Sequence, residues 1–251
     1  MAMVGRGWAV LVWLAAPYCL AAGAEDLQPE AGEELLGETA AALVLEEVAR
    51  RFQEQPCVRA KIVSEVDDDL LGPRKEEGEL LMRRPGLVLR RFFQKGQPWK
   101  AWRMEEALTS EYNPALNKVV ERDFSKAPKS LELLRAAITT EVAVLKQYFQ
   151  VSVFRKAATG SSPSELRLVL TRREDRATPL PWKQVVACLP EGAAFFSSVE
   201  QIPIPGQANR VKERYTEVQV LKNLDRAGLE DPLLQKEPKV REQVQDWKEQ
   251  P

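Results

Sequence analysis

Between Val58 and Leu221 the chain is cut at short intervals by turn-forming residues, and the runs between the cuts alternate apolar and polar side chains. The cuts fall at Leu71-Gly72-Pro73, Pro85-Gly86, Lys95-Gly96-Gln97-Pro98, Tyr112-Asn113-Pro114, 158–163, 178–181, Leu189-Pro190-Glu191-Gly192 and Pro205-Gly206. Glycine supplies left-handed backbone and proline withholds a ladder donor, so such clusters end regular elements. In the first run Val58, Ala60, Ile62 and Val66 alternate with Arg59, Lys61, Glu65 and Asp67. That period of two is a strand with one wet face. Segments 78–84, 87–94, 166–170, 185–188, 194–199 and 215–221 read the same way. Short strands at this spacing predict one antiparallel sheet curled into a sandwich or barrel.

Two stretches break the rhythm. In 39–53, Ala40, Leu43, Val44, Val48 and Phe52 form a helical stripe with Glu46, Arg50, Arg51 and Glu54 off it, and Pro56 ends the helix. In 130–146, Leu131, Leu134, Ile138, Val142 and Leu145 step by three and four, with Ser130 as the expected N-cap. No linker interrupts the strand pattern, so 25–234 reads as one domain. Residues 235–251 are charged, with only Val240, Val244 and Trp247 at helical spacing, and read as a tail or loose terminal helix.

The N-terminus reads as an export signal. Arg6 precedes an apolar run from Gly7 to Leu20, and Ala22-Gly23-Ala24 offers small residues for cleavage before Glu25. Tyr18 stands before Cys19 where lipidation wants a small residue. Cleavage of 1–24 removes Arg6 and takes the formal charge from −1 to −2. Such a charge does not draw the chain to nucleic acid, despite Arg83, Arg84, Arg90 and Arg91 beside Phe92, Phe93, Trp99 and Trp102. That basic cluster reads as a solvated strand face, or else a contact for lipid headgroups or an acidic partner. Export permits a disulfide between Cys57 and Cys188, and two separate buried thiols fit equally well.

The chain contains no histidine. Histidine-based triads, histidine-ligated metals and imidazole proton shuttles are therefore excluded. Ser161-Ser162 and Ser197-Ser198 lack a glycine elbow and a base, no Cys-x-x-Cys occurs, and Asp67-Asp68-Asp69 has no calcium-loop spacing. No catalytic residue, metal site or cofactor is expected.

Glu77-Gly78-Glu79-Leu80-Leu81-Met82-Arg83-Arg84-Pro85-Gly86, then Tyr112-Asn113-Pro114, Val119-Val120, Leu166–Leu170, Arg214-Tyr215 and Asn223-Leu224-Asp225 together resemble the outer-membrane lipoprotein carrier family, LolA, from 39 to 232. The chain departs from that pattern at Arg90-Arg91-Phe92-Phe93, Glu105-Glu106-Ala107 and Asp231-Pro232-Leu233-Leu234, which fits a divergent paralogue as well as the housekeeping carrier. The resemblance implies an α+β, mostly antiparallel fold: an incomplete, half-open barrel covered by amphipathic helices over an apolar cavity. It implies a periplasmic, monomeric carrier of acylated lipoproteins or lipids, with an inner-membrane donor complex and an outer-membrane acceptor. A periplasmic sensor of lipid or stress signals on the same fold is the alternative. Arg84 is then a lid latch reaching the covering helix, with a surface arginine at a strand end as the other reading. Leu80, Met82, Leu87, Leu89, Phe93, Leu134 and Ile138 are candidates to line the cavity, with plain core as the other reading of the same stripe.

Overall fold

A computed structural model describes residues 29–246 except 69–71, 85, 140–141, 161–162, 175–180, 207–208 and 225–229, and leaves out the side chains of 68, 137–139 and 142–143. The expected signal, 1–24, lies outside the described residues, and so does the side chain of Ile138. No helix among the described residues is long and apolar enough to cross a membrane.

The turn clusters deliver hairpins, and the hairpins build two meanders. β2 (Cys57–Asp68), β3 (Gly72–Arg83), β4 (Leu87–Gln94), β5 (Gln97–Glu105), β6 (Leu108–Asn113) and β7 (Lys118–Asp123) form the first. β8 (Phe149–Lys156), β9 (Glu165–Arg172), β10 (Trp182–Pro190), β11 (Ser198–Pro203) and β12 (Arg210–Leu221) form the second. They join where β12 pairs antiparallel with β2, Tyr215 opposite Ile62 and Glu213 opposite Ser64. β1 (Glu33–Leu35) adds to β8, held by ion pairing of Glu33 with Arg167 on β9. β13 (Lys239–Gln243) runs parallel to β7. Among the described residues the thirteen strands make one sheet whose outer members, β1 and β13, do not pair with each other. The fold is mostly antiparallel β and unclosed.

The sheet is strongly curled. Arg90 on β4 donates to the carboxylate of Glu213 on β12, with β2 and β3 between them. In a flat sheet three strand spacings would hold those strands about 14 Å apart. The two strands approach closely at Gly78, which lies opposite Phe92 of β4; a Cβ there would lie 2.2 Å from the Arg91 carbonyl oxygen.

The concave face is covered by α1 (Glu38–Glu54), α2 (Pro128–Thr139) and α3 (Val142–Leu145). α1 buries Ala41, Leu45, Val48 and Phe52, while Leu43 is 63% exposed. The stripe expected from the sequence is thus rotated. At about 100° per residue, Leu43 stands half a turn from Phe52, and Leu45 and Ala41 stand in line with it.

The expected second helix, 130–146, corresponds to α2 and α3. Pro128 opens α2, so Ser130 sits in its first turn rather than before it. The cap comes from the far end of the chain. Asp246 accepts from the backbone N–H of Ser130 at 2.8 Å and of Lys129 at 3.3 Å, and from the Ser130 hydroxyl at 3.0 Å. These N–H groups have no acceptor within their own helix, so the carboxylate fills a real need. Asp246→Ala is expected to cost about 1 kcal/mol and lower the melting temperature by about 2–4 °C, with Asp246→Asn in between; thermal unfolding at neutral pH measures both.

The C-terminal segment is therefore no tail. A 3₁₀ turn, Pro232–Gln235, lays Leu233 and Leu234 against Leu81, Leu87, Leu89, Ala101, Tyr112 and Val119 on the convex face. Arg91 anchors it through Nε to Asp231 at 2.8 Å. β13 follows, and Val244 buries itself in the core beneath the helices. Alternating side chains of β13 lack the apolar run of a central strand, so only its pairing with β7 distinguishes it.

A helix-roofed concave face

The register decides which side chains reach the roofed face. Arg83 lies opposite Leu87, so Met82 faces Val88 and Leu80 faces Arg90. Leu80, Met82 and Leu134 accordingly join the inner core with Val88, Phe92 and Phe52. Leu87 and Leu89, expected beside them, are on the convex face under Leu233 and Leu234. Phe93 is half-buried and belongs to neither apolar cluster. The Arg83, Arg84, Arg90, Arg91 cluster is no solvated face: Arg90 is 8% exposed on the inside and Arg91 is pinned on the outside.

Between α3 and the second meander is a cavity of about 20 Å³, walled by Leu145, Phe149, Leu170, Trp182, Val185, Ala187, Val199 and Gln201. None of the expected lining residues borders it; Leu80, Met82 and Leu134 are packed core. A volume of that size holds about one water. Nearby, Phe52 of α1 stacks on Phe196 with ring centroids 4.9 Å apart, and Phe195 packs edge-on against Tyr215 at 5.2 Å. The 194–197 stretch, expected as strand, thus serves as an aromatic plug before β11.

Arg84 follows β3 directly. Its backbone N–H donates to the Pro56 carbonyl at 2.9 Å, just beyond α1, and its guanidinium carbon lies 6.0 Å from the Phe52 ring centroid. It touches the last turn of the covering helix and the start of the next strand at once. Among the described residues no main-chain hydrogen bond joins the helices to the strands they cover. The roof rests on side chains.

The opposite part of the inner face is charged. Ser64 is 1% exposed between Glu213 and Glu76, its partners on the two flanking strands. Glu213 takes hydrogen bonds from Arg90 and, at 2.6 Å, from the Tyr215 hydroxyl. Lys100 donates to Glu76 at 3.0 Å and sits 4.8 Å above the Phe92 ring. Burial, and then the Glu213 charge, push the Tyr215 phenol well up. Burial also pulls the Lys100 ammonium down, against the Glu76 carboxylate. For Arg90, burial opposes the charge, but Glu213 and Tyr215 outweigh it and the guanidinium rises. Arg90, Phe92 and Tyr215 apart, none of these stood out in the sequence. A polar residue at an apolar position of an alternating strand, such as Ser64 between Ile62 and Val66, was the available signal.

Cys57 and Cys188 are both free thiols, and burial pushes the Cys188 thiol up.

Fold and site together define an open antiparallel half-barrel with a roofed inner face, apolar at one side and charge-paired at the other. No family model and no curated protein matches the chain. Solved structures similar to it include an uncharacterized conserved protein from Thermus thermophilus (11% identity, TM-score 0.47, covering 80% of this chain and 99% of that one). A LolA superfamily protein from Nitrosomonas europaea is similar at 8% identity and TM-score 0.38, over 76% of this chain and 97% of that one. The lipoprotein LppX from Mycobacterium tuberculosis is similar at 9% identity and TM-score 0.40, over 75% and 100%.

Proposed function

We propose that the chain is a non-catalytic periplasmic carrier, exported by 1–24, that shelters acyl chains of lipoproteins or lipids against the inner face of the half-barrel. It receives them from an inner-membrane donor complex and gives them to an outer-membrane acceptor. The observation that carries this reading is an apolar concave face whose cover, among the described residues, makes no main-chain hydrogen bond to the strands beneath it. Such a cover can lift without breaking a ladder of backbone hydrogen bonds. The cavity beneath α3 is too small for an acyl chain until the roof moves. Burial of each CH₂ gains about 0.8 kcal/mol, so half a dozen methylenes offset about 5 kcal/mol of displaced roof contacts. Arg84, against Phe52, is the latch whose contact is exchanged in that movement.

The test is titration of the purified protein with a fluorescent fatty acid whose emission rises in apolar surroundings. Binding at micromolar or lower Kd, reversed by unlabelled lipid, is expected; emission no different from that with an unrelated exported protein sinks the reading. A guanidinium–aromatic contact contributes about 1 kcal/mol, so Arg84→Leu is expected to change the release rate about fivefold with little change in melting temperature. Arg84→Lys restores part of it, because an ammonium lacks the planar face. Release at the wild-type rate from both variants removes Arg84 from the mechanism.

A further inference from the structure

Residues 231–246 pass around one rim of the sheet. They start on the convex face, where Leu233 and Leu234 share an apolar cluster with Leu81 and Leu89. They end on the concave face, where Val244 is 4% exposed in the inner core. Between the two lies β13, paired with β7 at the rim. Asp246 then caps α2. One short segment thus joins the outer face, the rim and a helix of the roof. The strands that α2 covers hold it by no ladder of their own, but this segment ties it to a short one at the rim.

The tie is firm at one end and light at the other. Asp231 is 1% exposed, pairs with Arg91 and accepts from the Leu233 N–H at 2.8 Å, so the convex end is fixed. β13 is five residues long with four of its side chains exposed, and it pairs in parallel, the less stable arrangement per residue. Its ionic contacts with β7 lie near the surface: Arg241 with Asp123 at 3.0 Å, Glu242 with Arg122 at 3.1 Å and Lys239 with Glu121 at 3.7 Å. Pairs of this kind hold weakly. Two of the charges that release would leave on β7 keep other partners. Arg122 retains Glu111 at 3.2 Å, and Asp123 retains the Ser125 N–H at 2.9 Å. This is unlike the buried pair of Arg90 with Glu213, where each charge depends on the other.

Peeling of the segment acts on the roof. It withdraws the Asp246 carboxylate from the first turn of α2, and Val244 from the core it shares with Leu133 and Leu134 of that helix. We propose that 239–246 is a strap that tethers α2, and that this side of the roof lifts only as the strap peels from β7, hinged at its fixed convex end. The use of the strap in loading rests on the carrier reading above; the coupling of strap to helix does not.

Hydrogen exchange of the full chain, read by mass spectrometry on peptides covering 128–139, 239–246 and β9, tests the proposal. Arg241 and Glu242 contact β7, so Arg241→Ala with Glu242→Ala loosens the strap at a distance from α2. This double variant is expected to speed exchange about threefold in both 239–246 and 128–139, with β9 unchanged. Asp246→Ala, at the other end, is expected to speed the same two segments about fivefold. Arg59→Ala removes an exposed pair with Glu79 elsewhere on the sheet and is expected to move neither segment. Unchanged exchange of 128–139 in the double variant, or of 239–246 in Asp246→Ala, overturns the tether. Saturating oleate is expected to speed exchange in both segments together, because entry of the acyl chain lifts α2. Slower or unchanged exchange in 239–246 with oleate bound overturns the part of the strap in loading. Failure of oleate to bind overturns the carrier reading, while the variants, which need no ligand, still decide the tether.

Discussion

Arg90→Leu is expected to destabilise the protein by about 3–5 kcal/mol, the usual result of removing one partner from a buried ion pair. The cause is the group left behind. Glu213 is 4% exposed, and without the guanidinium its carboxylate would keep only the Tyr215 hydroxyl. Replacing both members tests this account. Arg90→Leu with Glu213→Gln leaves an amide that still accepts from Tyr215, so the double variant is expected to recover at least half of the loss. Urea unfolding followed by tryptophan emission measures all three proteins. A double variant as unstable as Arg90→Leu would show instead that the guanidinium matters by bracing the curl between β4 and β12.

Gly78→Ala is expected to cost about 3 kcal/mol, the upper end of what one added methyl costs in a packed core. The new Cβ would stand 2.2 Å from the Arg91 carbonyl oxygen and 3.0 Å from Phe92 Cδ1. The oxygen belongs to the main chain of a paired strand, so it cannot rotate away as a side chain would. Relief requires β3 and β4 to part, which loosens their ladder at that point. Gly37→Ala supplies the comparison: its backbone is at φ −61°, ψ 159° and a new Cβ there meets nothing within 4 Å, so it is expected to cost no more than about 1 kcal/mol, the preference of a helix N-cap for glycine over alanine. Equal urea midpoints for the two variants would mean that the sheet absorbs the clash at Gly78 by flattening.

The positions of the hairpins were legible because turns are local. Strand β4 begins and ends where the glycine, proline and lysine clusters place it. Which face each residue serves was less so. The loop 84–86 has three residues, and that odd count puts Met82 opposite Val88 and sends Leu87 and Leu89 outward. The alternation within each strand is visible in the sequence, but its phase relative to the neighbouring strand is set by the loop. The same limit applies to α1, where Ala40-Ala41-Ala42 and Leu43-Val44-Leu45 offer overlapping stripes that all share Val48 and Phe52. Contacts between distant segments left no trace. The pairing of Asp246 with the start of α2, of Arg91 with Asp231 and of Arg90 with Glu213 join charged residues that look, in one dimension, like ordinary surface.

The junction of the two meanders bears on how the chain acquires its shape. Within each meander neighbouring strands are also neighbours in sequence, and such hairpins form in microseconds. The junction is different: Arg214 and Glu65, which hydrogen-bond across it, are 149 residues apart. Loop-closure entropy grows only slowly with length, about 0.6 kcal/mol per doubling, so this connection subtracts little from equilibrium stability. Its influence falls on time instead. Two half-sheets with exposed edges at β2 and β12 must wait for one another, and during that interval either edge can pair with the matching edge of a second molecule. Exchange of halves between copies is the misassembly this topology invites, and dilution rather than stabilising substitution is the remedy it calls for.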